Sequence, residues 1–352
     1  MNDLMPPETV VRLDDPHSGL RGFIVLHSTA LGPAAGGCRL WRYADEAAAS
    51  EDALRLAAGM TMKNALAGLP LGGGKAVLML PDAPFSRTRL FEAFGRAVAA
   101  LDGRYVTAED VGTGVDDMAT VAERTAHVAG LPRRDDRPGD PSPWTARGVF
   151  QAMAVAVERR LGCRLSEVTV AVQGVGHVGM ALCELLHEAG ARLVIAEPRS
   201  ELAARAATRF GADLVSSRAI TSVPADVFAP CALGGVLTLA SVATLKARVV
   251  CGAANNQLAS PEVADLLARR GVLYAPDVVV NAGGIINVAA EYLGWPQETV
   301  PARVDAVAAR LREVLDRAEA CAVPPAHAAP MLARDVVAQS SRAGAAKAAL
   351  AA

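Results

Sequence analysis

The chain has 352 residues, enough for two domains, and 52% of them are apolar, enough to bury substantial cores. Its formal net charge of −2 gives no global field that favours nucleic acid or an anionic surface. The 6 cysteines, at positions 38, 163, 183, 231, 251 and 321, form no C-x-x-C pair. That spacing predicts neither a metal site nor a disulfide framework, and it fits reduced thiols in a cytoplasmic protein.

Residues 1–7 lack the basic region and apolar core of a signal peptide, and no apolar run reaches membrane-spanning length. Residues 22–28 (GFIVLHS) read as a strand. A glycine-rich loop follows, Leu31 to Arg39. Asp45 is placed to cap a helix running to about Lys63. Gly72-Gly73-Gly74 then precede Lys75, which opens an apolar strand to Leu80. The stretch is not a Walker A loop: Leu69 stands where its first glycine belongs, and Ala76 stands where Ser or Thr would bind magnesium. What remains is two amines, Lys63 and Lys75, near a tight backbone. That arrangement suits binding a carboxylate with one and moving protons with the other.

Ser86 caps a helix to about Leu101, with apolar residues at helical spacing. A short strand at 104–108 ends in Glu109 and Asp110, before Val111-Gly112-Thr113-Gly114. Open α/β sheets keep their chemistry at such strand ends. Residues 130–143 are proline-rich and charged and read as the domain boundary. A helix over about 145–161 would carry Thr145 near its start.

In the second half, strand 168–173 runs into Gly174-Val175-Gly176-His177-Val178-Gly179 and then a helical pattern. This is a G-x-G-x-x-G fingerprint in its strand–turn–helix context. The glycines make the turn, admit a pyrophosphate and let helix meet strand, and His177 reads as exposed. Strand 192–196 ends in Glu197, 18 residues after Gly179, where an acid binds the adenosine ribose. A bare carboxylate there should disfavour a 2′-phosphate about a hundredfold or more. Arg199, two residues on, is read as solvated, with phosphate binding as the alternative. Further strands at 225–230, 247–251 and 271–275 end in small polar loops holding Cys231, Ala232, Asn255, Asn256 and Asn281, along one edge of the sheet.

Several stretches together resemble the glutamate, leucine, phenylalanine and valine dehydrogenase family: 32–39, 60–75, 107–112, 229–234, 253–257 and 274–287. The likeness spans nearly the whole chain. It implies an α/β fold of two domains with a cleft between them. The first, about 1–135, would hold the substrate groups. The second, about 144–324, would be a Rossmann-type doubly wound parallel sheet, and a C-terminal helix, about 325–352, would pack back on the first. The resemblance also implies NAD-dependent, reversible oxidative deamination of an L-amino acid to a 2-oxo acid and ammonia, in a homo-oligomer with small-molecule partners.

By the same resemblance Lys63 holds the substrate carboxylate, Gly36 is a substrate-binding position, and Lys75 and Asp110 move the protons. Asn256, or alternatively Asn255, lies near the substrate amine. Thr145 meets the nicotinamide carboxamide, and Gly174, Gly176, His177, Val178, Gly179, Glu197, Cys231, Ala232, Asn255 and Asn281 line the NAD site. Lys63 is expected to be the second cation that depresses the Lys75 pKa. Glutamate-specific relatives hold the side-chain carboxylate with a lysine and a serine, where Ala35 and Val288 stand here. An unpaired buried carboxylate costs several kcal/mol, so glutamate should be rejected. Ala35, Ala108, Ile285 and Val288 are the expected pocket walls, for a branched aliphatic side chain first and phenylalanine second. An inactive NAD-binding regulator and a hydroxy-acid oxidoreductase are the competing readings.

Overall fold

The computed structural model describes residues 6–131 and 140–351. Most of the proline-rich boundary (132–139) and the first five residues of the N-terminal reading lie outside them. The chain divides into two compact units. The first is built from the chain before residue 140, residues 288–296 and the chain from residue 333 onward; the second from residues 140–287 and 297–332.

In the first unit β1 (Thr9–Asp15) pairs antiparallel with β2 (Leu20–Ser28). There follow β3 (Ala34–Ala35), β4 (Cys38–Trp41), α1 (Glu46–Leu66) and β5 (Gly72–Met79). Then come α2 (Arg87–Ala99), β6 (Tyr105–Val106) and α3 (Val115–Ala122). The mixed sheet runs β1-β2-β5-β3-β6, with β4 also beside β5. Both faces of its centre are covered. Ile24, Leu26 and Leu78 join Phe91, Phe94 and Tyr105 on one side; Val25 and Val77 meet the α1 alanines Ala49, Ala53 and Ala57 on the other. That is why β2 reads as a continuous apolar run rather than an alternating one. The edge strand β1 is absent from the sequence reading, because charges interrupt TVVRLDD.

The glycine triplet lies inside β5, not before it. A Cβ on Gly73 would sit 2.1 Å from the Thr61 amide nitrogen on α1, and one on Gly72 would sit 1.9 Å from the Ser28 carbonyl oxygen. Only glycine lets helix and strand approach this closely.

The second unit opens with α4 (Ser142–Leu161), which starts three residues ahead of the expected Thr145, with a proline in its first turn. Its sheet contains β7 (Thr169–Gln173), β8 (Arg192–Ala196), β9 (Asp213–Leu214), β10 (Val227–Pro230), β11 (Val249–Val250) and β12 (Leu273–Tyr274). Helices α5 (His177–Glu188), α6 (Ser200–Phe210), α7 (Leu239–Thr244) and α8 (Glu262–Arg269) connect them. The order is β12-β11-β10-β7-β8-β9, and every pairing among the described strands is parallel. The order reverses between β7 and β10, which marks the ligand crevice of a doubly wound sheet.

Residues 278–281, expected as a loop, instead follow Pro276 into the short helix α9 (Asp277–Val280). Then come α10 (Gly283–Tyr292), α11 (Val300–Cys321) and α12 (Pro325–Ala351). Arg147 of α4 makes two 2.7 Å bonds to Asp305 of α11. In the first unit, Ser340 of α12 donates to the Ala30 carbonyl at 2.9 Å. No helix among the described residues is long and apolar enough to cross a membrane.

Candidate functional site

The first unit gathers its polar groups around Lys75. Strand β5 is flanked on one side by two short segments in succession: β3 pairs with Gly72 and Gly73, and β4 pairs with the residues from Ala76 to Met79. The break between them is Gly36-Gly37, beside Gly74 and Lys75. A Cβ on Gly36 would lie 1.9 Å from the Gly74 carbonyl oxygen, and one on Gly37 would lie 3.0 Å from the Asp110 Cβ. The two glycines therefore form a neck that side chains would close.

Across that neck Lys75 Nζ meets Asp110 Oδ2 at 2.7 Å. Lys75 is 5% exposed. The Asp110 loop is pinned at several points. Cys38 donates to the Ala108 carbonyl and Leu40 to the Val111 carbonyl. The Thr113 hydroxyl accepts from the Asp110 amide at 2.9 Å and lies 2.8 Å from the Cys38 carbonyl. Gly112, at φ +82°, would clash with the Leu40 carbonyl if it had a side chain. Arg87, held by Asp117 on α3, donates to the Gly112 carbonyl at 2.7 Å. Glu109, the neighbouring acid, is exposed, and burial of its surroundings raises its pKa.

Arg39 is the group the sequence reading missed. Its Nε donates to Asp110 Oδ2 at 3.1 Å and its Nη1 to Asp52 Oδ2 at 3.0 Å. Asp52 also accepts from the Tyr43 hydroxyl and from Arg55, each at 2.6 Å. The signal was faint: an arginine closing Gly36-Gly37-Cys38-Arg39 looks like a loop residue until β4 is paired with β5, which puts it one strand over and two residues past Lys75.

The electrostatics follow. Burial pushes the Lys75 amine below its ordinary value; Asp110 opposes the shift and Arg39 adds to it. Burial raises Asp110, but Lys75 and then Arg39 outweigh it, and its carboxyl ends below the usual range. Arg39 is thus a cation acting on Lys75 that the sequence reading did not offer beside Lys63. Lys63 lies half-buried late in α1, one residue before the buried Asn64. The Asn64 side chain donates to the carbonyls of Gly72 and Ala35 and ties the end of α1 to β5 and β3.

Of the expected pocket walls, Ala35 is buried on β3 and Ala108 is half-buried just after β6. Ile285 and Val288 are half-buried and one turn apart on α10.

In the second unit the fingerprint folds as its spacing demands. Gly174 has φ +91°, and a Cβ there would meet the Ala232 Cβ at 2.8 Å. A Cβ on Gly179 would lie 2.1 Å from the Gly174 carbonyl oxygen, with the Cys231 Cβ 3.4 Å away. Around Gly176, by contrast, no backbone comes within 4 Å of such a Cβ. The two outer glycines are needed for packing, and the middle one faces space bordered only by the Arg199 guanidinium, the opening a pyrophosphate would need. His177 is the first residue of α5, with an 87% exposed side chain 3.6 Å from Asp140, and Val178 follows it.

Glu197 follows β8, and its Oε2 accepts from the Val175 amide at 3.0 Å. Arg199 is not simply solvated: its Nε donates to Glu197 Oε1 at 2.7 Å. That bond above all holds the Glu197 carboxyl down at about 2, against burial.

The loop after β11 distinguishes the two asparagines. Asn255 Oδ1 accepts from Asn281 Nδ2 at 2.8 Å, and Asn281 also donates to the Ala253 carbonyl. Asn256 is left-handed at φ +52°, its amide held by the Asp277 carboxylate. Thr145 lies in the first turn of α4, and a Cβ on Gly284 would meet its Oγ1 at 2.6 Å.

Comparison with known proteins identifies the family. Residues 7–127 match the family model described as Glu/Leu/Phe/Val dehydrogenase, dimerisation domain. Residues 140–200 and 195–344 match Glutamate/Leucine/Phenylalanine/Valine dehydrogenase. The chain is 44% identical over 329 residues to leucine dehydrogenase of Geobacillus stearothermophilus, covering 93% of this chain and 90% of that one. It is 45% identical over 338 residues to valine dehydrogenase of Streptomyces albus, covering 95% and 93%. The crystal structure of L-tryptophan dehydrogenase from Nostoc punctiforme superposes with a TM-score of 0.87 at 38% identity, covering 96% of this chain and 97% of that one.

Proposed function

The chain belongs to the glutamate, leucine, phenylalanine and valine dehydrogenase family of NAD(P)-dependent oxidoreductases, and from that premise we propose that it oxidatively deaminates a branched aliphatic L-amino acid with NAD. The observation that carries this reading is the 2.7 Å contact between Lys75 and Asp110 in a pinned, largely buried neck.

Each residue then has a task. Lys63 holds the substrate carboxylate, and Gly36 borders the substrate. Asp110, kept ionised, takes a proton from the substrate ammonium. Loss of a hydride from Cα, to an acceptor that a bound nicotinamide would supply, leaves an iminium. Lys75, its amine held below the ordinary value, takes a proton from water as the water oxygen bonds to Cα. Asp110 then returns its proton to the carbinolamine nitrogen, the C–N bond breaks as the hydroxyl proton leaves to water and the carbonyl forms, and Lys75 passes its proton to the departing ammonia. Amino acid, water and NAD⁺ give 2-oxo acid, ammonium, NADH and one proton.

In the second unit Gly174, Gly176, His177, Val178 and Gly179 would take the pyrophosphate and Glu197 the adenosine ribose. Thr145, Asn255, Asn281, Cys231 and Ala232 would border the nicotinamide half, and Asn256 the substrate amine. The apolar residues Ala35, Ala108, Ile285 and Val288 are proposed to bound the side-chain pocket. Ala35 also supports a second reading, an aromatic substrate, because so small a residue leaves room for a ring. The relative named L-tryptophan dehydrogenase keeps that reading in play. We also propose a cytoplasmic homo-oligomer, since residues 7–127 match a dimerisation domain.

Turnover tests the assignment. With 2-oxo-4-methylpentanoate and NADH, absorbance of NADH should fall only when ammonium is present. Oxidation without ammonium would indicate a hydroxy-acid oxidoreductase. Binding of NADH without turnover of any hydrophobic 2-oxo acid would indicate a regulatory protein. A faster rate with phenylpyruvate would select the aromatic reading.

A further inference from the structure

Glu197 is the acid expected to meet the adenosine ribose, yet its carboxylate is occupied. Oε1 accepts from the Arg199 amide at 3.1 Å and from Arg199 Nε at 2.7 Å. Oε2 accepts from the Val175 amide at 3.0 Å and from Arg199 Nη2 at 3.2 Å. A carboxylate has about four lone-pair sites, and the chain's own donors take up that number. The Glu197 side chain is 3% exposed, whereas that of Arg199 is 63% exposed.

The guanidinium also reaches the glycine loop. Arg199 Nη2 lies 3.9 Å from where a Gly176 Cβ would be, and nothing else comes within 4 Å. It therefore stands between the ribose acid and the middle glycine, over the ground where phosphates of a dinucleotide would lie.

From this juxtaposition we infer that Arg199 sets the cofactor choice of this chain. It caps Glu197 in the free protein and turns its fork to a phosphate when a 2′-phosphorylated dinucleotide enters. The inference rests on the proposed dinucleotide site. The guanidinium is always charged and matches phosphate bidentately, so it is suited to both partners. A 2′-phosphate then meets an ion pair rather than a bare carboxylate, and the like-charge penalty expected from Glu197 alone is largely cancelled. For NAD the balance is different. Its ribose hydroxyls must compete with Arg199 for Glu197, which takes back part of what the acid contributes. NAD stays the tighter ligand, but its margin over NADP narrows to about tenfold instead of about a hundredfold.

Calorimetric titration of the full-length protein, without substrate, reads this directly. The ligands are NAD, NADP, 5′-AMP and 2′,5′-ADP. Wild type should bind NADP within about tenfold of NAD. Arg199→Ala should weaken NADP and 2′,5′-ADP at least tenfold while leaving NAD and 5′-AMP unchanged or tighter. Arg199→Lys, which keeps the charge but loses the fork, should fall between. Glu197→Gln should bring NADP level with NAD or above it. Unchanged NADP binding in Arg199→Ala overturns the inference while leaving the dinucleotide site standing, because NAD still binds. A wild type that binds NAD but excludes NADP overturns it equally. A wild type that binds none of the four ligands overturns both the site and the inference.

Discussion

Lys75 and Asp110 differ in how readily a sequence betrays them. Lys75 follows three glycines and precedes an apolar strand, a position with no use for a solvated amine. Asp110 ends a strand before a glycine loop, but so does Glu109 one position earlier. Only the fold separates the two, by aiming Asp110 at Lys75 and leaving Glu109 exposed. Asp110→Asn keeps the shape and removes the proposed proton acceptor, so kcat should fall about 10²-fold or more. A rate within a few-fold of the parent would move the role to Glu109. Arg39 could not have been assigned without the strand pairing, since its partners Asp52 and Asp110 lie 13 and 71 residues away in sequence. Its charge, together with burial, holds the Lys75 amine below its ordinary value. In amino-acid oxidation Lys75 must be neutral to act as a base, so activity rises with pH through its pKa. Facing Lys75 and Arg39 are Asp110, Asp52, Tyr43, Arg55 and the buried Cys38, and Arg39 is the arginine bonded to Asp110. Arg39→Gln removes the cation, lets the Lys75 pKa rise, and should move the acid limb of the kcat/KM profile to higher pH. Arg39→Lys should recover part of that shift. A profile that keeps its acid limb in Arg39→Gln would limit Arg39 to a purely structural role.

Strand β5 and helix α1 show what is legible at the scale of elements. Both were visible in sequence: α1 by its Asp45 cap, which accepts from the Ala48 amide at 2.8 Å, and β5 by its apolar run. Their closeness was not. Glycines before a strand look like a loop, because propensity alone penalises glycine within one. Here the triplet is strand because α1, β2 and Tyr105 press on it from different sides: a Cβ on Gly74 would lie 2.9 Å from the Tyr105 ring. The tertiary fit overrides the local preference. Gly73→Ala should therefore be costly out of proportion to one methyl. The obstacle is the backbone and hydroxyl of Thr61, which cannot rotate away as a long side chain could, and overpacking of this kind typically costs about 1–3 kcal/mol. Any relief must come from parting α1 and β5, which moves Lys63 relative to Lys75. Thermal unfolding and steady-state kinetics on Gly73→Ala should show a lowered Tm together with a raised KM for the amino acid. A variant with parental Tm and KM would mean the helix and strand are not held this close.

For the molecule as a whole, the parallel sheet was readable and the mixed sheet only in part. Parallel strands buried on both faces announce themselves as apolar runs after each turn, and the glycine fingerprint orders the first of them. The edge strand β1 carries Arg12, Asp14 and Asp15 and has no such signature; besides its backbone pairing with β2, charge ties it to α1. Glu46, in the first turn of α1, accepts from Arg12 on β1 at 3.0 and 3.1 Å and from Arg21 on β2 at 2.8 Å. Those bonds hold the Glu46 carboxyl at about 2, below its ordinary 4.5. Glu197 is held equally low, chiefly by Arg199. Each unit thus has a carboxylate that is more acidic folded than unfolded. Between those two values the unfolded chain binds more protons, so stability rises with pH across the window. Read downward, it is present above pH 4.5 and is lost as pH falls toward about 2. Calorimetric scans from about pH 5 to about pH 2 should show Tm falling throughout. Glu46→Gln carries no proton to release, so it should flatten the fall for the unit that contains β1 and leave the Glu197 contribution of the other. Because Arg12 and Arg21 are more than half exposed, added salt should shrink the difference between variant and parent. An acid slope in Glu46→Gln equal to the parent's, at low salt, would mean that β1 is held by its backbone pairing with β2 and that the Arg12–Glu46–Arg21 cluster contributes nothing to the fold.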